Sequence, residues 1–532
     1  MKRHNEPAPV IPYLACKKVK SKENHMSPQS IYLCAQEFLV VNPRNGKQLG
    51  RLANTIQYVS SAFLIGISTW TMPAYSQSMD SHMESFDRFM ADTKAAAAQD
   101  FIGHPWLGSG AHLESDNQPP ISRTYKVNDT SAFEVMRQAI IERYNGVHVS
   151  GSFIANGQTY DCVPVMEQPA VRRYQIRKIA TPPQLASATN LNGDLSSRSV
   201  GSSEQLQNGV NTPSCGTGSV PLNRVTLEEL SRFTTVDAYH RKAPPPMTRL
   251  PSSSESANAP FIASQLLSAD TYTHKYATFE QNVENLGGNV TFNVWNPKVD
   301  AAAGQFFSLS QIWIIGGDRA GGANPLQSEE TGWVVSPSKF GDNLPHFFIY
   351  STADNYVNTG CWNNSCGDFV QVSEKAVIGG ALVDISSPGG QQHEFSAGYH
   401  RDAHGNWWVF RDGVAIGYYP AEFYQGGQNS HNATLISFGT ETTGLTSWPG
   451  AGSGNWDSPL YGHAAYQRNL YYYNLADTAA WDDPHLSVRS TCYHAAGPFS
   501  NGDGGYISAD NHNPSWWTRY VFVGGPGGTQ CR

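Results

Sequence analysis

From about residue 265 onward, the sequence is a succession of short runs in which apolar and polar residues alternate. Typical runs are "NVTFNVW", "QIWIIGG", "HFFIYST" and "NWWVFRDG", each bounded by Gly, Pro, Asn or Asp. Side chains along a strand point alternately to its two faces, so these runs suit short strands with intervening turns. No helical stretch of comparable strength interrupts them. The pattern predicts an all-β domain over 248–532, built as an antiparallel β-sandwich of two packed, curved sheets.

A different pattern precedes this domain. The segment "SAFEVMRQAIIERYNG" predicts a helix that opens with a capping box of Ser131 and Glu134 and stops at Gly146. The alternation in "VHVSGSFIANGQTYDCVPV" predicts a hairpin that turns at Asn156-Gly157. A second short helix, "TLEELSRF", carries a capping box of its own. These elements predict a small α+β domain ahead of the sandwich.

The order of segments suggests a secreted precursor. Basic residues precede the apolar run "YVSSAFLIGISTWTM", and "PAYSQS" then offers a small-x-small cleavage site. This predicts a signal peptide at 52–76, with 1–51 as an upstream segment produced by a start codon placed too early. The pro-region is expected at 77–247 and contains a Ser-rich linker at 181–220. We expect the mature protein to be extracellular or periplasmic, without a membrane anchor.

Charge and cysteines narrow the function classes. The net charge of −8 and the pI near 6.1 argue against a nucleic-acid partner. Export would allow disulfides, and we expect two local ones: Cys361 with Cys366, and Cys492 with Cys531. The pairing of Cys162 and Cys215 stays open. No Cys-x-x-Cys or His-x-x-x-His pattern accompanies these cysteines, so we expect neither a metal nor another cofactor.

The chain lacks the usual motifs of zinc, serine and nucleotide enzymes, which leaves carboxylates on strands as candidates. In "EETGWVV", alternation places Glu330 and Gly332 on one face and Glu329 on the other. In "ATLISFGTE", Gly439 and Glu441 share a face. Each glycine is expected to leave open space for a substrate backbone. We predict that Glu330 and Glu441 approach each other across a groove and that Glu329 is a solvated edge charge.

Several long blocks resemble the neprosin family of peptidases. The catalytic-domain blocks include "FSLSQIWIIGG", "EETGWVVSPSKFGDNLPHFFIYSTADNYVNTGCWNNSCGDFVQ", "GNWWVFRDGVAIGYYPAEFY" and "HAAYQRN". "GQTYDCVPVMEQPA" and "SCGTGSVPLNRVTLEELSRF" followed by "HRK" resemble the family's activation domain. The resemblance runs from about residue 148 to the end, with gaps over the Ser-rich linker. The family's paired cysteines map onto the two expected local disulfides.

The resemblance implies a secreted glutamic peptidase, made as a zymogen, active in acid and cutting after proline. The family's first catalytic glutamate, in an E-x-G-W strand start, maps onto Glu330. The second, in a W-G-G-E strand end, maps onto Glu441, where Phe438 replaces Trp and Thr440 replaces Gly. The second motif is imperfect, so activity or specificity can differ from that of the family. The expected partners are polypeptide substrates, proline-rich ones among them.

Two carboxyls held close together share a proton, because both cannot ionise cheaply. The ionised glutamate can then activate water while the protonated one serves as acid. We expect Glu441 to be the base and Glu330 the acid, although the sequence does not assign the roles. Gln311 is a candidate for orienting the substrate, and a structural strand amide explains it equally well. The pro-region is expected to cover the groove as an intramolecular inhibitor that acid releases.

Two other functions fit the same residues. Paired glutamates in an aromatic-rich groove also suit a secreted β-sandwich glycosidase. A non-catalytic binding module would use the aromatic residues alone. Release of reducing sugar would identify the glycosidase, and indifference to Glu330→Gln or Glu441→Gln would identify the binding module.

Overall fold

The alternating runs form two antiparallel sheets that pack face to face, as the sequence predicts. In the computed structural model the described residues are 10–19, 31–41, 48–51, 84–102, 105–106, 123–185, 213–242, 273–318, 322–457, 461–488, 490–500 and 517–531. The expected signal peptide, most of the Ser-rich linker and the junction between pro-region and sandwich lie outside these residues.

The chain divides into two units, Met1–Gln77 and Ser78–Arg532. The first contains three antiparallel strands: β1 (Val10–Val19), β2 (Ile31–Val41) and β3 (Gln48–Arg51). The second contains the sandwich and, ahead of it, the segment predicted to be a pro-region, for which we keep the name pro-region. Among the described residues, no helix is both long and apolar enough to cross a membrane.

The pro-region is α+β, as predicted. Its strands are β4 (Pro105–Trp106), β5 (Arg123–Thr124), β6 (Gly151–Ala155), β7 (Gln158–Pro164) and β8 (Ser219–Asn223). Its helices are α1 (Phe86–Ala95), α2 (Thr130–Arg143), α3 (Pro169–Arg173), α4 (Leu227–Ser231) and α5 (Val236–His240), with 3₁₀ turns at Ala98–Asp100 and Val165–Glu167. Strands β6, β7 and β8 form one antiparallel sheet.

The described residues of the sandwich form sixteen strands. The first eight are β9 (Thr273–Gln281), β10 (Gly287–Asn293), β11 (Gln305–Gly316), β12 (Gln327–Val335), β13 (Pro345–Thr352), β14 (Cys361–Trp362), β15 (Val370–Gln371) and β16 (Glu394–Arg401). The others are β17 (Trp407–Arg411), β18 (Val414–Tyr419), β19 (Leu435–Gly444), β20 (Ala465–Tyr473), β21 (Ala479–Ala480), β22 (His485–Val488), β23 (His494–Ser500) and β24 (Arg519–Gly524). The short helix α6 (Pro337–Phe340) and 3₁₀ turns at Ala301–Ala303, Ala421–Tyr424 and Gln428–Ser430 connect them.

The order of strands places the candidate glutamates near the middle of one sheet. The seven-stranded sheet runs β14-β13-β12-β11-β19-β9-β22. The nine-stranded sheet runs β15-β18-β17-β16-β10-β20-β24-β23, and β21 pairs with β20. Strand β11 is therefore flanked by β12, which carries Glu330, and β19, which carries Glu441.

Two apolar cores lie on the two faces of the seven-stranded sheet. Trp333 and Ile312 point inward and pack with Trp407 and Phe292 of the other sheet. The opposite face is covered by the pro-region in a second core of twenty-four buried residues, among them Met136 of α2. Burying one large apolar side chain contributes about 1.5–3 kcal/mol, so this second core holds the pro-region firmly on the sandwich.

Helix α2 begins earlier than predicted. Its N-cap is Asp129, whose carboxylate accepts the backbone N–H of Ala132 at 2.7 Å. The predicted capping box of Ser131 and Glu134 is wrong, because Ser131 lies inside the helix and Glu134 binds Arg137 instead. The capping box predicted for the second helix is confirmed at the start of α4.

The predicted hairpin is confirmed, with Asn156 and Gly157 at φ 47° and 74° between β6 and β7. Positive φ at both turn positions is what a two-residue type I′ turn requires. The Ser-rich linker ends earlier than 220, because β8 already begins at Ser219.

Both expected local disulfides are present, and Cys162 pairs with Cys215, which the sequence left open. This third bond ties β7 to the segment that leads into β8.

Candidate active site

The site lies on the face of the seven-stranded sheet that the pro-region covers. Gln311 of β11 pairs with Gly332 of β12 on one side and Gly439 of β19 on the other. Glu330 and Glu441 flank these positions, two residues from each glycine. The Nε2 group of Gln311 lies 3.1 Å from Oε2 of Glu330 and 3.3 Å from Oε2 of Glu441. The structure therefore brings the two predicted glutamates to one shared neighbour.

Lys242 of the pro-region inserts its ammonium group between the two carboxylates. Its Nζ donates to Oε2 of Glu330, to Oε2 of Glu441 at 3.3 Å and to Oε1 of Gln311 at 2.9 Å. The aromatic rings of Trp313, Phe348 and Tyr350 have their centres 5.4–5.8 Å from the same nitrogen. Carboxylates and ring faces both attract a cation, so the groups around this buried ammonium stabilise its charge.

The end of helix α5 delivers Lys242 to this position. The helix ends at His240, and Arg241 continues in an extended conformation. The Arg241 guanidinium donates to the backbone carbonyls of Tyr356 and Val357, and the Arg241 carbonyl accepts the indole N–H of Trp362 at 2.9 Å. Both sides of Arg241 are thus fixed to the sandwich, which holds the next side chain in the site.

Glu441 has a second basic neighbour, His274 of β9. The Nδ1 atom of His274 lies 2.5 Å from Oε1 of Glu441. Burial raises the pKa of Glu441, but the charge of Lys242 and the hydrogen bond with His274 together lower it more. The pKa of this carboxyl therefore lies below its ordinary value, and Glu441 is ionised in the covered site.

Glu330 is surrounded differently. Its Oε1 accepts hydrogen bonds from the hydroxyl groups of Ser328 and Tyr356, each at 2.8 Å. From the opposite sheet, the Tyr399 hydroxyl donates to the backbone carbonyl of Glu330 at 3.0 Å. Apart from Lys242, the hydrogen-bond partners of this carboxyl among the described residues are neutral, so the two glutamates of the site are electrostatically unequal.

The prediction that Glu329 is a solvated edge charge is wrong. Its side chain is fully buried between the sheets, where Asn429 donates to its Oε2 at 2.8 Å. Burial raises the pKa of Glu329 well above its ordinary value, which favours the neutral acid. The alternation itself is confirmed, since Glu329 and Glu330 point to opposite faces. The burial was missed because the 3₁₀ turn Gln428–Ser430 closes over that end of the strand.

The open space expected beside Gly332 and Gly439 is also absent. A Cβ atom at Gly332 would lie 1.9 Å from the Ser310 carbonyl oxygen, and one at Gly439 would lie 2.2 Å from the Ala277 carbonyl oxygen. These glycines allow adjacent strands to approach closely. Gln467 of the opposite sheet donates to the Gly439 carbonyl at 2.9 Å and reinforces this region. A substrate-binding role for either glycine stays a prediction.

Sequence reasoning missed Lys242, His274 and Tyr356. Lys242 ends the "HRK" triplet that carried part of the family resemblance, so a signal for it existed. His274 and Tyr356 lie outside the glutamate motifs, and their contacts arise only from strand pairing and a loop turn.

A metal is not suggested by the residues described here. The one group with suitable spacing in the described residues is His240 with Cys361 and Cys366. These two sulfurs are joined in a disulfide and cannot act as thiolate ligands.

Fold and site together define a class: a β-sandwich that carries two buried glutamates on one sheet, covered by its own pro-region. Residues 304–526 match the protein-family model described as Neprosin. The match confirms the resemblance to the neprosin family over residues 304–526, and it supports a peptidase.

Solved structures to which this chain shows similarity include two peptidases. A scytalido-glutamic peptidase with a transition state analog inhibitor is 8% identical, with a TM-score of 0.25, and the match covers 48% of this chain and 98% of that one. SCP-B, a member of the eqolisin family of peptidases in complex with the tripeptide Ala-Ile-His, is 9% identical, with a TM-score of 0.24, and the match covers 48% of this chain and 98% of that one. At these identities, neither structure assigns an activity to this chain.

Proposed function

We propose that this protein is the secreted zymogen of an acid-active glutamic endopeptidase that cleaves polypeptides at proline. The observation that carries the proposal is the shared site of Glu330 and Glu441, which both contact Gln311 on the face of one sheet. The neprosin domain agrees with this chemistry. Two carboxyls in different surroundings are the arrangement that separates an acid from a base.

The reaction would need no group beyond these side chains and water. The ionised glutamate takes a proton from water as the water oxygen bonds to the scissile carbonyl carbon. The protonated glutamate gives its proton to the carbonyl oxygen, which forms a tetrahedral intermediate with two hydroxyl groups. As the carbon–nitrogen bond breaks, the base passes the proton it took from water to the leaving nitrogen, and one hydroxyl of the intermediate returns its proton to the acid. Gln311 would hold both carboxyls in position, and Tyr356 and Ser328 would orient Glu330.

Latency would follow from Lys242. While its ammonium bonds both carboxylates, neither can bind water or donate a proton. The pKa of Glu441 is lowered in this state, so its contribution to stability is present above the ordinary Glu pKa of about 4.3. That contribution is lost as the pH falls through the lower, folded-state pKa. Acid would thus release the pro-segment and favour trimming at the basic, Pro-rich junction near residues 241–249.

Two observations support the finer parts of the proposal. The rings of Trp313, Phe348 and Tyr350 surround the position of the Lys242 ammonium and would offer apolar faces to a proline ring once it leaves. Three disulfides occur among the described residues, and such bonds persist in oxidising compartments.

A peptide-library digest tests the proposal. Purified full-length protein is incubated with the library from pH 3 to pH 7, and new termini are mapped by mass spectrometry. We expect cleavage in acid, with proline enriched next to the cut. Glu330→Gln and Glu441→Gln should each reduce the rate by at least about 100-fold, since each removes a proton-transfer group.

Glu422→Gln is the matched control, because it makes the same chemical change at an exposed position. Cleavage that peaks above neutral pH, or that survives both site substitutions, would exclude the mechanism. Release of reducing sugar from glycans without new peptide termini would instead identify a glycosidase.

A further inference from the structure

We propose that His274 is a positioning residue that holds Glu441 in its ionised form after the pro-segment has left, so that Glu441 is the base and Glu330 the acid. This inference rests on the proposed peptidase function. It assigns the two roles, which neither the sequence nor the mere presence of two glutamates can do.

The backbone places His274 beside Glu441 independently of the pro-region. Strand β9 pairs with β19 so that His274 lies opposite Thr443 and Tyr276 lies opposite Glu441. His274 is therefore the diagonal neighbour of Glu441 on the same face of the sheet. Its Nδ1 atom is 2.5 Å from Oε1 of Glu441 and 3.2 Å from Oγ1 of Thr443. Loss of the pro-segment removes none of these contacts.

In the covered site the pair is shielded from water. The side chains of His274 and Glu441 are 8% and 3% exposed. The His274 ring stacks on Tyr276 at 6.1 Å and meets the edge of Phe307 at 5.9 Å. An interaction between a carboxylate and an imidazolium is stronger in such surroundings than at a surface. The apolar rings also restrict the imidazole to the orientation that faces Glu441.

The charged groups around the pair are few. Lys242 faces Glu441 from the pro-region, and His274 faces it from β9. Lys275, the next residue of β9, points to the other face, where its Nζ lies 5.0 Å from the centre of the Trp448 ring. Once Lys242 leaves, His274 is the basic group that remains in contact with a site carboxyl among the described residues.

After the pro-segment has left, the two glutamates have different electrostatic surroundings. The hydrogen bond from His274 and the charge of His274 both lower the pKa of Glu441, which favours its carboxylate form. Glu330 keeps its hydroxyl donors Ser328 and Tyr356, which are neutral. Since the pair shares one proton, that proton resides on Glu330. Glu441 accordingly accepts the proton of the attacking water, and Glu330 donates its own.

The test is the pH profile of kcat/KM for the full-length chain after acid incubation, in the wild type, His274→Gln and His274→Lys. The glutamine keeps a hydrogen-bond donor but removes the charge, and the lysine restores the charge. We expect His274→Gln to move the acid limb of the profile upward by about 1 to 3 pH units, and His274→Lys to move it back. KM at the optimum should change little, because His274 does not touch the substrate.

An acid limb at the same pH in all three proteins would overturn the inference while leaving the peptidase proposal intact. A wild type that cleaves no peptide at any pH would refute the peptidase proposal. The role of His274 would then be judged by carbon-13 NMR of the glutamate carboxyls, with the Glu441 signal assigned from Glu441→Gln. A Glu441 signal that titrates at the same pH in the wild type and in His274→Gln would contradict the inference. Thermal unfolding of each variant confirms that it is folded.

Discussion

Replacing Lys242 by methionine should produce a protein that cleaves peptides before any trimming. The side chain is 8% exposed, and its ammonium contacts two carboxylates and one amide. Methionine has a similar length and fills the aromatic surroundings, but it offers no donor to Glu330 or Glu441. The substitution therefore isolates the charge of Lys242 from its volume.

The size of the effect follows from the burial of the pair. Removing one member of a buried ion pair costs about 3–5 kcal/mol. Glu330 and Glu441 can share a proton after the ammonium is lost, so the lower end, about 3 kcal/mol, is appropriate here. At about 1.4 kcal/mol per factor of ten, the fraction of molecules with an open site should rise by about 100-fold.

The assay is the initial rate on a quenched fluorescent peptide near pH 6, with the chain shown to be intact on a gel at the end of the measurement. We expect the Lys242→Met rate to exceed the wild-type rate by about 100-fold near pH 6 and by much less near pH 3. As the pH falls through the folded-state pKa of Glu441, that carboxyl becomes neutral, so the wild-type ammonium also loses a charged partner.

Lys178→Met, at an exposed position of the pro-region, is the matched control and should stay latent. Two results would refute the reasoning. One is a Lys242→Met protein as latent as the wild type, and the other is an intact wild type that is fully active at once.

Two further predictions concern stability. The first is Glu329→Gln. Because burial raises the pKa of Glu329 in the wild type, its contribution to stability is fully present below the ordinary Glu pKa of about 4.3. That contribution is lost as the pH rises toward the folded-state pKa. Measured by calorimetry, the Tm of the variant relative to that of the wild type should therefore rise from pH 4 to pH 8. A constant difference would show that Glu329 does not ionise in this range. Replacing Cys162 and Cys215 by serine opens a loop with a sequence separation of 53 and should destabilise the pro-region by about 4 kcal/mol. Its exposure to proteolysis should rise while the sandwich stays resistant, and replacing Cys492 and Cys531 serves as the converse control; equal resistance of the pro-region in both variants would contradict this.

Much of the fold could be predicted because its signals are local. Alternation in "EETGWVV" placed Glu329 and Glu330 on opposite faces whatever the partner strands are. The Asn156-Gly157 turn and the capping box of Thr226 and Glu229 each depend on residues a few positions apart. Such patterns act through the backbone of one segment, so no tertiary information is needed to interpret them.

Prediction of the site depended on both the local sequence pattern and the family resemblance. Glu330 and Glu441 were expected from glycine-flanked strand positions and from the family motifs, and the structure brings them to Gln311. The explanation offered for Gly332 and Gly439 failed, because open space beside a strand depends on how closely its neighbour approaches. The prediction that Glu329 is exposed failed for a similar reason, because a turn distant in sequence covers the end of its strand.

The sequence by itself determined the class of fold, the pairing of four cysteines, the two glutamates and the faces on which they lie. Tertiary structure alone decided which groups surround those glutamates. The contacts of Glu330 with Lys242, Glu441 with Lys242 and Glu441 with His274 join residues 88, 199 and 167 positions apart. Contacts of that range depend on strand order and register, which no short stretch of sequence contains. The electrostatic inequality of the two carboxyls, and with it their chemistry, is therefore a property of the assembled sheet.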